Sequence, residues 1–300
     1  MIPLISSICY GPIGVCHLPR FWWKVLLRKA NLLDSDYPDC SGGLDTSVLE
    51  VLDLEKETTL SYLRDNMPNY LEFEDWVLQQ KGGSLDREAV DKWNESIRTR
   101  VHRPAKIAET YRDIGFGDDV NINSAVILNS LQDWQFFHRQ DFDGDIAHLG
   151  ARVVPLIATI DYGPLEVCQL PRTWLKILLK AKGVLHPDYP DMTENGLDPR
   201  VLRALKIKPS DAVTYIHENQ PTYLQFEEWV LEQNGGEIDR EPAEEWNAFV
   251  RNRTRNDSRR SEILATVGLE DDGTLISAVV LNHIDDWHLA HANLSNARKI

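Results

Sequence analysis

The chain has 300 residues, of which 42% are hydrophobic and 26% charged, so it holds enough apolar material for the cores of about two domains. Its net charge is −15 and acidic residues are in excess in both halves, which argues against binding to nucleic acid or to an anionic membrane. No apolar stretch reaches the roughly 18 residues of a membrane-spanning helix. We therefore expect a globular protein with neither nucleic-acid nor membrane partners.

The first 140 residues have the pattern of a series of short helices. Pro19 marks the start of the first, in which Trp22, Val25 and Leu26 recur at helical spacing. Helices over about 45–52, 55–66 and 71–80 follow, the last ending at two consecutive glycines. Another begins near Asp86, and two more cover about 105–112 and 124–138. Residues 3–8 lack this pattern, and there we expect an extended arm or a short strand.

The same unit occurs twice in the chain. Residues 3–39 match residues 155–191, and residues 43–138 match residues 196–291, with one residue inserted near 192–195. The unit is longer than a solenoid repeat of about 20–50 residues and long enough to enclose its own core. We therefore predict an all-α protein of two homologous multi-helix domains, 1–145 and 150–300, packed as a pseudo-two-fold pair. The polar segment 141–153 is the predicted linker.

The cysteines indicate the cellular compartment. Cys16 and Cys168 occupy equivalent positions, whereas Cys9 and Cys40 have no counterpart in the other copy. A disulfide framework would repeat with the domain, so we expect reduced thiols and a cytoplasmic protein. The apolar N-terminus lacks a preceding basic region, which argues against a signal peptide.

Several segments together resemble a family of small bacterial proteins of unknown function, each about as long as one copy. The resemblance rests on the segments PLIS, YGPIGVCHLPR, FEDWVLQQKGG and AVILNSLQDWQFFH, and it extends over nearly all of each copy. It implies a compact helical domain, but none of its motifs is a catalytic signature. The second copy departs from the pattern, because Gln169 replaces the histidine of HLPR. A role that needs His17 in both copies is therefore in doubt.

The first candidate site lies where each copy begins its first helix. Arg20 and Lys24 occur in the first turns, where cations oppose the helix dipole, and both are repeated in the second copy. We interpret this turn as a pocket for a carboxylate or phosphate. The predicted substrate-binding residues are Tyr10, His17, Arg20, Lys24, Tyr162, Arg172 and Lys176. The alternative is a structural ion pair with Asp36, Asp39 or Glu74.

The last helix of each copy supplies candidates for acid/base catalysis. Asp133 and His138 are repeated as Asp286 and His291. Histidine exchanges protons near neutral pH, and a carboxylate would orient its ring, so we assign these four residues a catalytic role. The alternative is that each histidine lies at a helix C-terminus and only complements the helix dipole.

Cys16 and Cys168 are further catalytic candidates. Each follows a glycine-bearing turn and precedes a helix, where a lowered thiol pKa would make it a nucleophile. The alternative is a small buried hydrophobic residue, which is common for cysteine.

The second copy has several possible metal ligands in its last helix: His283, Asp286, His288 and His291. The first copy has Ser130 and Gln135 at the positions of two of these histidines, so a shared metal site is not supported. The chain also lacks the glycine-rich phosphate-binding loops and the zinc-protease motif. We therefore predict no metal and no cofactor.

Two classes of function are compatible with these residues. The first is a small-molecule enzyme that uses cofactor-free acid/base chemistry on an anionic or aromatic substrate, such as a lyase, isomerase or cyclase. The second is a non-catalytic ligand-binding or protein-interaction module with pseudo-symmetric surfaces. A pocket with converging polar groups would favour the enzyme, and an exposed apolar patch would favour the interaction module.

Overall fold

The computed structural model of the chain describes residues 1–117, 120–144, 153–189, 192 and 195–297, without the side chains of residues 296 and 297. These residues form fourteen α-helices and no strand, which confirms the all-α prediction. Three isolated β-bridges join single residue pairs within this part of the chain. Residues 1–144 are called the first half below, and residues 153–297 the second half.

Seven α-helices form the first half, and each matches a predicted helix. They are α1 (Leu18–Lys29), α2 (Leu44–Val51), α3 (Lys56–Asn66), α4 (Tyr70–Gln80), α5 (Arg87–Arg98), α6 (Pro104–Ile114) and α7 (Ala125–Phe136). The last predicted helix reaches residue 138, but the α-helix ends at Phe136 and continues as a π-helical segment, Phe137–Phe142. The predicted linker 141–153 thus begins inside this segment, and its residues 145–152 lie outside the described chain.

Seven α-helices also form the second half, in the same order as in the first. They are α8 (Leu170–Ala181), α9 (Leu197–Ala204), α10 (Pro209–Asn219), α11 (Tyr223–Gln233), α12 (Arg240–Asn252), α13 (Asp257–Thr266) and α14 (Ala278–Ala297). The position of the inserted residue, near 192–195, falls mostly outside the described residues.

Local signals explain where the helices start and stop. Asn69 and Glu72 form a capping box at the start of α4, which satisfies two N–H groups that the helix itself leaves free. Thr222 and Gln225 do the same for α11. Gly115 ends α6 with φ at 80°, in the left-handed region that glycine adopts at little cost.

The segment before α1 is neither helix nor strand, so of the two alternatives for residues 3–8 the short strand is wrong. Most of its side chains are buried, including Ile5 and Cys9 at 0% exposure. Without a strand partner, its backbone carbonyls need other donors. Arg20 of α1 donates hydrogen bonds to two of these carbonyls, as described below, and thereby links this segment to the helix.

Contacts join the two halves, and several occur twice with the halves exchanged. Tyr70 of α4 meets Trp287 of α14 edge-on at a ring distance of 4.6 Å, and Trp134 of α7 meets Tyr223 of α11 at 4.7 Å. These residue pairs are equivalent under the sequence match, because Tyr70 corresponds to Tyr223 and Trp134 to Trp287. Aromatic pairs in this geometry contribute about 0.5–1.5 kcal/mol beyond the area they bury.

No helix in the described part of the chain combines the length and apolar composition needed to cross a bilayer. All four cysteines are free thiols, and Cys40 is the only one of them that is not fully buried.

Candidate functional site

Arg20 of α1 is buried and connects separate parts of the first half. Its Nη1 donates to the backbone oxygens of Pro3 at 2.6 Å and Ile5 at 2.8 Å. The same guanidinium binds both carboxylate oxygens of Asp133 on α7, at 2.6 and 3.2 Å. The Tyr37 hydroxyl donates to that carboxylate at 2.7 Å. Burial disfavours the charged arginine, but Asp133 outweighs burial and raises the pKa of Arg20. The protein's own acceptors therefore take the contacts that an external anion would need.

Lys24 and His17 share a second buried carboxylate, Asp45 of α2. Lys24 Nζ donates to one oxygen at 2.6 Å, and His17 Nε2 lies 2.9 Å from the other. His17 Nδ1 is 3.1 Å from the Ser7 hydroxyl. Burial alone would raise the pKa of Asp45, but the contacts with His17 and Lys24 hold it well below its ordinary value. In the first half, these two predicted ligand-binding residues belong to an internal hydrogen-bond network.

The prediction that these cations pair with Asp36, Asp39 or Glu74 is wrong. Asp36 is exposed, Asp39 binds Arg64 at 2.7 Å, and Glu74 accepts a backbone N–H at 3.3 Å. The true partners lie 21 and 113 residues along the chain from the cations. Such separations leave no local signal, although both aspartates are matched in the second half.

The same contacts recur in the second half. Arg172 binds Asp286 at 2.7 and 3.0 Å and donates to the two equivalent backbone carbonyls. Lys176 donates to Asp198, and Gln169 donates to the same carboxylate at 2.7 Å. Glutamine thus preserves the hydrogen bond that histidine makes in the first half. The shared contact therefore does not require a titratable group at this position.

The predicted substrate-binding tyrosines make other contacts. The Tyr10 ring meets the His283 ring edge-on at 5.9 Å, and the Tyr10 backbone oxygen accepts a hydrogen bond from His283 Nδ1 at 2.8 Å. The Tyr162 ring lies 5.9 Å from the guanidinium carbon of Arg251. Neither tyrosine is hydrogen-bonded to the matched arginine of its half.

His138 and His291 bind backbone carbonyls of the opposite half. His138 Nε2 lies 2.8 Å from the Gln220 oxygen, and His291 Nε2 lies 2.9 Å from the Met67 oxygen. Gln220 and Met67 are equivalent residues that end α10 and α3 with positive φ. Only His138 has a carboxylate nearby among the described residues, Asp143 at 3.6 Å. The structure thus does not bring these histidines together with Asp133 or Asp286, whose carboxylates bind arginine.

Cys16 and Cys168 are fully buried. Each Sγ donates to a backbone oxygen eight residues earlier, at 3.6 Å in both halves. Burial raises the pKa of both thiols to about 11. A nucleophilic cysteine needs a shift in the opposite direction. Their environment is that of the buried hydrophobic alternative.

The histidines of α14 do not converge on a common point. His283 Nδ1 donates to a backbone oxygen of the first half, and burial lowers the pKa of its ring to about 4. His291 faces a carbonyl, and Asp286 is bound to Arg172. Within the described residues, no group of three or more His, Cys, Asp or Glu side chains is arranged to hold a metal ion.

A cavity of about 720 Å³ lies beside the Arg172 ion pair in the second half. It is bordered by α8, α9, α13, α14 and the segment between α12 and α13. Its basic lining residues are Arg172, Lys176, Arg200, Arg253, Arg255 and Arg259. Its acidic lining residues are Asp188, Asp198, Glu262, Asp285 and Asp286.

Three cations of this cavity, Arg200, Arg253 and Arg255, form no ion pair with a described carboxylate. Arg200 packs over the Phe249 ring, and Arg255 Nη2 donates to the neutral Asn282 at 2.5 Å. Arg255 Nε is buried and has no hydrogen-bond acceptor. Burial, reinforced by Arg253 and Arg259, lowers the pKa of Arg255 to about 10. Burial and Arg200 lower the pKa of Arg253. The charged forms of Arg253 and Arg255 are therefore less stable in the folded protein than they would be in water.

Asp285 is a carboxylate that lines the same cavity. Its nearest ion-pair contact is loose, 3.8 Å to Arg259, and its side chain is 26% exposed. Burial, and then the neighbouring Asp286, raise the pKa of Asp285 to about 6. A group with this pKa exchanges a proton near neutral pH, which is the property required of an acid/base residue.

The first half differs at most of these positions. In place of Arg200, Arg253, Arg255, Arg259 and Asp285 it has Ser47, Arg100, His102, Lys106 and Gln132. His102 keeps the contact with its asparagine, since His102 Nε2 lies 2.8 Å from Asn129 Oδ1. Burial lowers the pKa of His102, which favours its neutral form. The first half therefore has fewer permanent cations at the corresponding place.

The predicted site and the cavity overlap only at Arg172, Lys176 and Asp286. Sequence reasoning missed the cations that have no ion-pair partner among the described carboxylates, although five arginines between positions 251 and 260 stand out in an acidic chain. That run was a usable signal. The repeat comparison favoured residues shared by both copies, whereas this cluster is largely specific to the second.

Comparison of the chain with models of protein families, with curated proteins and with solved structures finds no match.

Proposed function

We propose that the cavity of the second half binds a small anion, such as a phosphate ester or an organic carboxylate. The observation that carries this proposal is the pair Arg253 and Arg255, two partly buried guanidinium groups without a described carboxylate partner. Buried charges in proteins are usually paired, because an isolated one loses its hydration. An anion in the cavity would supply the missing charge and an acceptor for Arg255 Nε.

The chemistry of arginine supports an oxyanion as the ligand. A guanidinium presents several N–H donors in a plane and matches the spacing of carboxylate and phosphate oxygens. Arg259, on the first turn of α13, adds a third cation, although it already binds Glu262 at 2.7 Å. Arg200 is held at the rim by stacking on Phe249 at 4.2 Å, so its charge also stays near the cavity.

We place this binding site in a small-molecule enzyme that works by acid/base chemistry, of the lyase or isomerase type. A titratable carboxyl group beside the cations favours this class. The interaction module is the second candidate, and it has less support, because only three large hydrophobic side chains of the described residues are exposed. They are Val101, Phe249 and Ile276.

We also propose that the two halves are duplicated domains packed as a pseudo-two-fold pair, from a duplicated member of the bacterial family that the segments resemble. The reciprocal contacts support this proposal: His138 binds the end of α10, and His291 binds the equivalent end of α3. A two-fold interface makes each such contact twice with the partners exchanged. In this proposal, the two histidines hold the halves together, and the second half carries the anion site.

Isothermal titration calorimetry with sulfate, phenyl phosphate and citrate at low ionic strength tests the anion site. We expect saturable binding of at least one of these anions to the full chain, and ten- to a hundredfold weaker binding by Arg255→Met. That loss corresponds to about 1.5–3 kcal/mol for a hydrogen bond to a charged group. Arg112→Met, which removes one exposed positive charge from α6, is the matched control and should bind as the wild type does. Absence of binding, or unchanged binding by Arg255→Met, would overturn the proposal.

A further inference from the structure

We propose that Asp285 takes up a proton when the cavity binds its anion, and that this carboxyl group then donates a hydrogen bond to the bound oxyanion. The proposal rests on the proposed function, because it requires an anion in the cavity of the second half. It assigns the proton-transfer role of the site to Asp285, in place of His138 and His291.

The hydrogen-bonding state of Asp285 is the first observation. Its carboxylate lines the cavity but accepts no hydrogen bond from any described residue, and its closest cation is Arg259 at 3.8 Å. A partly buried carboxylate normally has hydrogen-bond donors. The adjacent Asp286 shows the contrast, since Arg172 and Tyr189 both donate to it. Asp285 is therefore available to a ligand, whereas Asp286 is not.

The first half has a structural hydrogen bond at the position equivalent to Asp285. Gln132 stands in place of Asp285, and its amide donates to Asp113 at 2.5 Å. In the second half, Asp113 is replaced by Thr266, whose hydroxyl donates to a backbone oxygen of its own helix. The second half has therefore lost the structural contact and gained a carboxyl group that faces the cavity.

The charges around Asp285 determine what an anion would do to it. The groups that act on it from the surrounding elements are Asp286 of α14, Arg259 of α13, Arg255 of the preceding segment, Arg172 of α8 and the Tyr189 hydroxyl. Burial, and then Asp286, already raise the pKa of Asp285 to about 6 against the three arginines. A bound oxyanion adds negative charge and occupies the same arginines. Both effects raise the pKa further, so a proton is taken up from solvent near pH 7.

The proton also decides whether the site accepts the anion. An ionised Asp285 repels an oxyanion and competes with it for Arg255 and Arg259. A protonated Asp285 donates an O–H to an acceptor oxygen, and hydrogen bonds to charged acceptors are the stronger kind. No covalent bond changes in this step. One proton moves from solvent to the Asp285 carboxylate as the anion enters.

Sulfate is the suitable probe, because it stays a dianion across the whole pH range used. Calorimetric titrations of the full chain at pH 7 in two buffers of different ionisation enthalpy measure the protons taken up on binding. We expect between about half a proton and one proton per bound sulfate for the wild type. Binding by the wild type should also weaken by up to about tenfold per pH unit above pH 7. Asp285→Asn should bind sulfate without proton uptake and with little pH dependence.

Two further variants make the result specific to Asp285. Glu244→Gln removes an exposed carboxylate of α12 that does not line the cavity, and should keep the wild-type proton uptake. Asp285→Gln introduces the residue that the first half tolerates at this position, and it replaces Asp285→Asn if the latter does not fold. If the wild type binds no sulfate or other oxyanion, the proposed function fails. If it binds sulfate without proton uptake, or if both Asp285 variants retain the uptake, only the role of Asp285 is overturned.

Discussion

Replacement of the buried Asp161 by asparagine is expected to change how the stability of the protein depends on pH. Asp161 is 1% exposed and lies where the two halves meet, since the Ser6 hydroxyl of the first half donates to it at 2.5 Å. The backbone N–H of Ala158 donates to its other oxygen at 2.7 Å. These donors only partly compensate for the lost hydration of the carboxylate. Burial therefore raises the pKa of Asp161 to about 6.

The direction of the effect follows from the protons bound in each state. Between about pH 4 and pH 6, the unfolded chain has lost the Asp161 proton while the folded protein still holds it. The folded state then binds more protons, so the free energy of unfolding falls as pH rises through this window. A rise in pKa from 3.8 to about 6, at 1.36 kcal/mol per unit, corresponds to about 3 kcal/mol.

Asp161→Asn removes this titration and keeps the size and shape of the protonated side chain. Urea denaturation, followed by circular dichroism and tryptophan fluorescence at pH 4, 5, 6 and 7, measures the free energy of unfolding of both proteins. Because Asp161 in the unfolded chain is already largely ionised at pH 4, the difference between variant and wild type should shift by about 2.4 kcal/mol in favour of the variant from pH 4 to pH 7. Asp36→Asn, at an exposed site, is the control and should stay within about 0.5 kcal/mol at every pH.

A difference between Asp161→Asn and the wild type that does not change with pH would refute this reasoning. It would mean that Asp161 is ionised in the folded protein at the same pH as in the unfolded chain. The hydrogen bonds from Ser6 and Ala158 would then compensate fully for burial.

Three further predictions concern residues that match between the two halves of the chain. Arg20→Met leaves a buried carboxylate without its cation and should lower the free energy of unfolding in urea by about 3–5 kcal/mol. Gly11→Ala should cost about 1–3 kcal/mol in the same assay, because a Cβ there would lie 2.4 Å from Glu74 Oε1. In the native protein at pH 8, iodoacetamide should modify Cys16 and Cys168 at least about a hundredfold more slowly than in urea, as measured by peptide mass spectrometry.

Each of these predictions has a matched control. Lys92→Met breaks an exposed ion pair on α5 and should cost less than about 1 kcal/mol. Gly42→Ala places a Cβ where no atom lies within 4 Å and should cost little. Cys40 is only partly buried and should be the first thiol to react in the native protein. Equal effects at the test and control positions would contradict the roles assigned to burial and packing.

The helices could be predicted from the sequence because the forces that define them act over a few residues. Pro19 at the start of α1, the glycines after α4 and the Asp86 cap of α5 all act within a turn of the helix end. The segment before α1 had no such signal. Its conformation depends on hydrogen bonds from Arg20, which lies 15 and 17 residues further along the chain.

By itself, the sequence determined the helical elements and the residues that match between the two halves. Only the tertiary structure decided what those residues bind, since the partner of Arg20 is 113 residues away and the pairing depends on how α1 meets α7. The same holds for the cavity, whose arginines and Asp285 come from separate elements. The physical reason is that helix formation depends on neighbouring residues. Ion pairing and burial depend on which distant segments come together, and these interactions set the pKa values of the site.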